Sequence, residues 1–261
     1  MMGGAPATWL RRLPSRPGTG LTLVCFPHAG GIADYYLPLL RPLSGRAEVA
    51  VVQYPGRHDR ADEQLVPSIR QLARHVVGAL RALRVRRPIL FGHSMGALVA
   101  FEAAVLLERE TGTSPRHLFV SGHRSPSRHR PDLARYADES AMVAELHRLG
   151  GTDKRVLAHP ALVSRMLPVL RNDYAAVSGY RYQAGDVVGC GVTALVGDRD
   201  PHTTVHDAQA WTAMTTGRFG LRAFPGGHFY LNAQRGPLVS ALDLQLSALG
   251  GGPASPGGGL S

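Results

Sequence analysis

A serine lies between two glycines where a short apolar run gives way to a long segment with helical periodicity. Gly92-His-Ser-Met-Gly96 follows the apolar run 88–91, so the pattern is strand, sharp turn and helix. Such a turn strains the backbone of its central residue, and a side chain at either glycine would collide with the neighbouring strand or helix. The pattern predicts that Ser94 is a nucleophile; a structural serine in a tight turn is the alternative.

Candidates for the base and the acid that a serine nucleophile needs follow late apolar runs of the chain. The base must accept the hydroxyl proton, and a carboxylate usually orients it. Asp200 stands directly before a proline, which holds it extended, whereas Asp198 lies just past the strand end and is better placed to brace the turn. Of the 12 histidines, His228 follows a late strand, whereas His28 and His93 do not. The predicted base and acid are His228 and Asp200, in the serine, aspartate, histidine order of α/β-hydrolases.

Two backbone amides could stabilise the oxyanion that forms when the hydroxyl attacks a carbonyl. The amide of Met95 lies at the N-terminus of the helix that follows the serine. The loop Pro27-His-Ala-Gly-Gly31 follows an early strand, as the oxyanion loop of this fold does, and its glycines let the backbone approach a substrate closely. We therefore expect the amides of Ala29 and Met95 to form an oxyanion hole, with a plain glycine turn at 27–31 as the alternative.

Strands and helices alternate along most of the chain, and this order would position the reactive side chains. Short apolar runs predict strands, and apolar residues spaced by three and four predict helices. Predicted strands cover 21–26, 48–53, 88–92, 117–121, 192–196 and 220–224, and predicted helices cover about 34–43, 67–83, 94–108, 207–216 and 237–249. Such βαβ units form a mostly parallel, doubly wound α/β sheet with its functional loops at the carboxyl ends of the strands.

The alternation breaks in one long segment without a convincing strand. Residues 125–182 carry two helical patterns around the loop 150–153, which predicts a helical lid above the sheet; an ordinary pair of crossover helices is the alternative. The first 20 residues, rich in glycine, proline and arginine, are expected to wrap loosely over the surface. The predicted organisation is an α/β-hydrolase core over 1–124 and 183–249, a helical lid insertion over 125–182, and a disordered tail over 250–261.

The composition favours a globular, cytoplasmic protein. Of its 261 residues 44% are hydrophobic and 18% are charged. No signal peptide is evident, and no apolar run reaches the roughly 18 residues of a membrane span. Cys25 and Cys190 are too few for a disulfide framework and are expected to be small, buried or half-buried residues. Without H-E-x-x-H, C-x-x-C, Walker or G-x-G-x-x-G motifs, neither a metal site nor a cofactor is expected.

The chain is strongly basic, with a net charge of +10 from 29 arginines and lysines against 19 acids. Such a surface can recruit nucleic acid, an anionic membrane or an acidic protein. The arginines are scattered, however, and no nucleic-acid-binding motif accompanies them. We therefore expect neither a nucleic-acid nor a membrane partner, and keep a non-catalytic basic binding module as the competing hypothesis from another class.

Segments spread from about residue 9 to 235 resemble the type II thioesterases, the free-standing editing hydrolases of polyketide and nonribosomal peptide assembly lines. They are Trp9-Leu10, Cys25-Phe-Pro-His-Ala-Gly-Gly31, Pro55-Gly56-Arg57, Phe91-Gly-His-Ser-Met-Gly-Ala97, Ala100-Phe101-Glu102, Leu149-Gly-Gly-Thr152, Leu167-Pro-Val-Leu-Arg171 with Asp173, Gly197-Asp-Arg-Asp-Pro201, Trp211 and Pro225-Gly-Gly-His-Phe229. Together they look most like an actinobacterial member, such as one serving a rifamycin-type pathway.

The resemblance implies an enzyme that hydrolyses aberrant or stalled acyl groups from the phosphopantetheine arms of acyl or peptidyl carrier proteins. It implies Ser94 as nucleophile, His228 as base, Asp200 as its partner, and Ala29 and Met95 as the oxyanion hole. It also implies a lid over an acyl chamber, no cofactor beyond the phosphopantetheine of the substrate, and a monomeric enzyme. Carrier proteins are usually acidic, which fits the basic balance of this chain.

Two departures from the family pattern do not touch the triad. Ser178-Gly179 stands where a glutamate is expected before Tyr180, and Gly189-Cys190-Gly191 replaces the usual proline before a strand. The first departure could alter the lid and hence the substrate preference. The competing enzymatic hypotheses are a carboxylesterase or lipase acting on oxygen esters, and a chain-releasing thioesterase, which is normally fused to a synthase.

Overall fold

The computed structural model describes residues 6–14, 20–130, 138–152 and 154–250, and a seven-stranded sheet lies at the centre of these residues. The strands are β1 (Leu10–Arg12), β2 (Thr22–Phe26), β3 (Glu48–Val52), β4 (Ile89–His93), β5 (His117–Ser121), β6 (Gly191–Gly197) and β7 (Phe219–Phe224). Their order is β1-β3-β2-β4-β5-β6-β7; β2 to β7 run parallel and β1 is antiparallel at the edge. The predicted mostly parallel, doubly wound sheet is confirmed.

Helices cover both faces of this sheet. They are α1 (Ala33–Leu40), α2 (Ile69–Ala82), α3 (Met95–Thr111), α4 (Glu139–Leu149), α5 (Lys154–Leu157), α6 (Pro160–Ser178), α7 (Val205–Gln209), α8 (Tyr230–Ala233) and α9 (Arg235–Gly250). Successive strand side chains point to opposite faces, so Leu90 joins the apolar cluster with α2 and α3, whereas Phe91 joins the one with α1 and α9. Burial on both faces explains why the strands are almost continuously apolar in sequence.

Residues 10–12 are more ordered than the sequence predicted. Residues 10–12 form β1, in which Leu10 pairs with Val52 of β3, and both Trp9 and Leu10 are buried. The expectation that the first 20 residues wrap loosely is therefore wrong for these positions. The sequence does not predict this strand because it is short and contains two arginines, so it has neither the length nor the apolar run that marks a buried strand.

Most helices differ from their predicted bounds by one to three residues, and two of the differences have a clear structural form. Helix α2 begins at Ile69 because the Ser68 side chain accepts a hydrogen bond from the Gln71 amide as its N-cap; Pro67 therefore lies before the helix rather than in its first turn. The predicted helix over 207–216 consists of α7 and a 3-10 turn over Ala210–Met214.

Between β5 and β6 the described residues contain helices and no strand, as the sequence predicted. Helices α4 and α6 share an apolar cluster of their own, and Gly150, in a left-handed conformation, ends α4 at the predicted loop. Residues 131–137 and 153 of the predicted lid lie outside the described residues. Gly250 is the last residue of α9, and the rest of the predicted tail, 251–261, also lies outside them.

Both cysteines are free and buried, as expected from their sequence positions. Among the helices of the described segments, none combines the length and the apolar character needed to cross a membrane.

Candidate active site

Ser94 occupies the turn between β4 and α3 in a strained backbone conformation, with φ at 54° and ψ at −121°. A Cβ atom at Gly92 would lie 2.1 Å from the carbonyl oxygen of Gly96, and one at Gly96 would lie 1.9 Å from that of Phe26. Both obstacles are backbone atoms, so only glycine fits at either position. The turn leaves Ser94 half-buried, on the wall of a cavity at the carboxyl end of β4.

Hydrogen bonds join the side chains of Ser94, His228 and Asp200 in one chain. The His228 Nε2 atom lies 3.0 Å from the Ser94 Oγ atom, and His228 Nδ1 lies 2.8 Å from Asp200 Oδ2. A carboxylate can only accept, so Nδ1 carries the proton and Nε2 is free to accept from the serine hydroxyl. The other Asp200 oxygen, Oδ1, accepts from the amides of His202 and Thr203 at 2.8 and 3.3 Å. Both Asp200 and His228 are buried, which fixes the geometry.

The two acids of the loop after β6 lie in different environments. The Asp198 Oδ1 atom accepts a hydrogen bond from the Gly226 amide at 2.8 Å, and its residue is exposed. Asp198 thus braces the loop that carries His228, while Asp200 faces the imidazole. The sequence predicts the same contrast between the two acids, and the catalytic role of Asp200 stays a prediction.

His28 and His93, which the sequence argument set aside as bases, also lie beside this hydrogen-bonded chain. His93 is fully buried, with its ring centroid 5.1 Å from that of His228 and its Nδ1 atom 2.9 Å from Ser121 Oγ. His28 holds its Nδ1 atom 2.6 Å from the hydroxyl of Tyr36. Burial, assisted by the nearby His228, lowers the pKa of His28 to about 3 and that of His93 well below its usual range. Both are therefore neutral at physiological pH and lie beside His228.

The expected oxyanion loop lies directly against the first turn of α3. A Cβ atom at Gly96 would also lie 2.7 Å from the carbonyl oxygen of Pro27, so the loop backbone touches the helix that carries Met95. Ala29 and Met95 both line the cavity beside Ser94. The next two amides of the loop have acceptors: Gly30 donates to Asp173 Oδ2 at 2.8 Å and Gly31 donates to the His28 carbonyl at 2.9 Å.

The cavity beside Ser94 has a volume of about 350 Å³ and two unlike walls. We call its wall of strand-end loops (26–31, 93–95, 121–124, 198–203 and 226–229) the floor, and we call α4, α5, α6 and the loop 150–152 the roof. The roof contributes Leu146, Leu149, Thr152, Tyr174, Val177 and Ser178 to the lining. Ser178, one of the two departures from the family pattern, thus borders the cavity.

Several contacts between roof and floor were missed in the sequence. The Glu145 carboxylate of α4 lies 2.6 Å from His202 Nε2, and the amide of His202 donates to Asp200. Gly151 packs so closely on the Phe229 ring that a Cβ atom there would lie 2.2 Å from it. The partners in these contacts are far apart in the chain, and no local pattern marks them. The only roof segments that the sequence pointed to are Leu149-Gly-Gly-Thr152 and the segment with Asp173, which resemble the thioesterase family.

Among the described residues, no group of three or more histidine, cysteine or acidic side chains is arranged to hold a metal ion. The hydrogen-bonded chain of Ser94, His228 and Asp200 can by itself move a proton from a hydroxyl to an imidazole and stabilise the resulting charge. The absence of a cofactor stays a prediction.

Comparison with known proteins gives a consistent result. Residues 21–246 match the family model described as thioesterase domain. The chain is 42% identical over 246 residues to "Thioesterase PikA5" of Streptomyces venezuelae, an alignment that covers 94% of this chain and 88% of that protein.

Solved structures agree with this match. The type II thioesterase BorB from the borrelidin biosynthetic cluster is 41% identical with a TM-score of 0.83, covering 92% of this chain and 98% of that one. The thioesterase RedJ from the prodiginine pathway of Streptomyces coelicolor is 36% identical with a TM-score of 0.82, covering 89% and 90%. None of these three names mentions a rifamycin-type pathway, and that expectation stays a prediction. With most of its length matched, the chain belongs to the thioesterase-domain family, and it is an α/β-hydrolase that acts on thioesters.

Proposed function

We propose that Ser94, His228 and Asp200 hydrolyse acyl thioesters through an acyl-enzyme. The observation that carries this proposal is the hydrogen-bonded chain from Ser94 Oγ through His228 to Asp200, with distances of 3.0 and 2.8 Å. His228 Nε2 takes the hydroxyl proton as Ser94 Oγ bonds to the thioester carbonyl carbon. Asp200, itself held by two backbone amides, stabilises the imidazolium that forms.

The amides of Ala29 and Met95 would hold the negative oxygen of the tetrahedral intermediate. As this intermediate collapses, the carbon–sulfur bond breaks and His228 returns its proton to the leaving thiolate. A water molecule then enters, His228 takes one of its protons, and the hydroxide oxygen bonds to the acyl carbon. Collapse of the second intermediate releases the free acid and gives the proton back to Ser94.

For the substrate, we infer acyl groups on the phosphopantetheine arms of carrier proteins in a polyketide or nonribosomal peptide assembly line. Support comes from the names of the similar structures, which assign BorB and RedJ to biosynthetic pathways. Arg124 and Arg130 line the cavity, and the net charge of +10 suits an acidic carrier domain. The role would be editing, the removal of aberrant or stalled acyl groups, in the cytoplasm and as a monomer.

The first test measures hydrolysis of propionyl and longer acyl groups on a carrier protein, with p-nitrophenyl esters alongside. Ser94→Ala should reduce kcat about 10⁶-fold and Asp200→Asn about 10⁴-fold, because each breaks the proton relay. Comparable folding of the variants, checked by circular dichroism, is the control. Turnover of simple esters with no action on carrier-bound thioesters would instead support an oxygen-ester hydrolase.

The carrier partner is tested by a charge reversal at the cavity. Arg130→Glu should raise KM for acyl-carrier protein several-fold more than KM for the same acyl group on coenzyme A, since only the protein substrate carries an acidic surface. The matched control is Arg86→Glu, an exposed arginine just before β4 and so at the opposite end of the strands from the cavity. Equal effects of Arg130→Glu on KM for both substrates would reject docking of the carrier protein beside the cavity.

A further inference from the structure

A buried ion pair that the reaction does not use joins the roof to the loop after β3. The Arg57 guanidinium donates through Nη1 and Nη2 to the two Asp173 carboxylate oxygens, each at 2.9 Å. The side chains are only 5% and 1% exposed. The desolvation of two buried charges offsets much of their electrostatic attraction, so the pair is weak evidence for a role in stability alone. The Arg57 Nε atom is also buried without a hydrogen-bond partner in the described part of the chain, which adds to the cost.

The same carboxylate holds the expected oxyanion loop. Asp173 Oδ2 accepts the Gly30 amide at 2.8 Å as well as Arg57 Nη1. The Gly30 amide belongs to the peptide group that follows Ala29, so this hydrogen bond restrains the orientation of the residue whose amide is to bind the oxyanion. Arg57 Nη1 also lies 3.5 Å from the Gly31 carbonyl oxygen, on the other side of Gly30.

The backbone of the expected oxyanion loop, 27–31, is held from two sides. Gly30 has φ at 74°, in the left-handed region, and a Cβ atom there would lie 2.6 Å from the Leu170 side chain of α6. Gln53 fixes the end of the loop by accepting the Ala33 amide at 2.8 Å, and its own amide group donates to the Arg57 carbonyl at 3.2 Å. The loop is therefore tied to both α6 and the end of β3.

We propose that Asp173, held in place by Arg57, is a positioning residue that aims the Ala29 amide at the oxyanion. The proposal rests on the function assigned above to Ala29. An oxyanion donor works only when it is already directed at the charge that develops, and small displacements are costly. Through this one carboxylate the roof helix α6 takes part in the chemistry of the floor without touching the substrate.

The variant Asp173→Asn tests the proposal, because it keeps the size of the side chain and removes its charge. Loss of an oxyanion donor costs about 100- to 1,000-fold in kcat, so a misdirected donor should cost about 10- to 100-fold with little change in KM. Affinity for an acyl trifluoromethyl ketone, which forms an oxyanion on Ser94, should fall by a similar factor. Affinity for a thioether analogue without a carbonyl should stay unchanged.

Glu102→Gln is the matched control. Glu102 is also buried and also meets an arginine, Arg70, at 3.2 Å and the Tyr180 hydroxyl at 2.7 Å, but it does not line the cavity. It should lower stability without changing the ratio of the two inhibitor affinities. If Asp173→Asn does not fold, Arg57→Lys, which keeps the charge but not the two parallel hydrogen bonds, replaces it with a smaller effect in the same direction.

Two results would overturn the proposal: an unchanged kcat in Asp173→Asn, or an equal loss of affinity for ketone and thioether, which would indicate a collapsed cavity. Failure of the proposed function looks different. In that case the wild-type protein itself would bind the ketone no better than the thioether, and Ser94→Ala would leave hydrolysis intact.

Discussion

The floor of the cavity consists of loops that leave the ends of buried strands, whereas the roof consists of helices that pack largely on one another. Ser94 and the loops of Asp200 and His228 continue directly from β4, β6 and β7, whose side chains join the two large apolar clusters. The roof has a small cluster of its own, made of Met142, Leu146, Leu167, Leu170 and Tyr174. Reacting groups must stay fixed within fractions of an ångström, and only the floor has the support for that.

A few polar contacts join the two walls, and on the floor they involve the loops that carry the proposed acid, Asp200, and the proposed oxyanion donor, Ala29. Glu145 of α4 reaches His202 in the loop that holds Asp200, and Asp173 of α6 reaches Gly30. The roof therefore does more than cover the cavity. If the proposed roles of Asp200 and Ala29 hold, a roof that shifted as a whole would loosen both of their loops together and so lower activity.

A pair of equal truncations, one in each wall, should give the largest contrast in stability. Leu90 of β4 is fully buried between both neighbouring strands, and Leu146 of α4 is buried in the roof cluster. Leu90→Ala should lower the free energy of unfolding by about 2–5 kcal/mol, because it leaves a cavity in the core. Leu146→Ala should lower the free energy of global unfolding by less than about 1 kcal/mol, but it should increase amide hydrogen exchange in α4. Urea unfolding and hydrogen-exchange mass spectrometry measure the two effects.

Equal losses in the two variants would remove the distinction between the walls. They would mean that the roof unfolds only together with the sheet, as one cooperative unit. Faster exchange in the strands of Leu146→Ala would lead to the same conclusion.

The sheet and the residues of the candidate site could be proposed from the sequence because both have local signals. Buried parallel strands appear as apolar runs, and Ser94, Asp200 and His228 each stand at a fixed place after such a run. Chain order then predicts, without any knowledge of distances, which serine, aspartate and histidine act together. The geometry that brings Ser94 Oγ to 3.0 Å from His228 needed the structure.

The support of the site could not be predicted in the same way. Asp173 and Gly30 are 143 residues apart, and nothing near either residue indicates that they meet. The partnership of Arg57 with Asp173, 116 residues apart, has no local pattern either, although both residues lie in segments that resemble the thioesterase family. Contacts of this kind depend on how α6 lies on the loops, which is a property of packing and not of periodicity.

Acid should lower the free energy of unfolding through the neutral histidines of the floor, by less than the core truncation does. The pKa of His28 is about 3 and that of His93 is also lowered, mainly by burial, whereas a histidine in an unfolded chain titrates near 6.5. From about pH 6.5 downward the unfolded chain therefore binds more protons, and the free energy of unfolding falls as the pH falls. Each such histidine contributes a slope of up to about 1.4 kcal/mol per pH unit in this window.

His93→Gln isolates this contribution, because it removes one buried imidazole. Urea unfolding at pH 7, 6 and 5 should give a slope that is about 1 kcal/mol per pH unit shallower than in the wild-type protein. Ser121→Ala is the control: it removes the hydroxyl that meets His93 Nδ1 but leaves the titrating group in place, so the absolute stability changes while the slope persists. Equal slopes of unfolding free energy against pH in His93→Gln and the wild-type protein would contradict this prediction. They would show that His93 takes up its proton in the folded protein despite its burial.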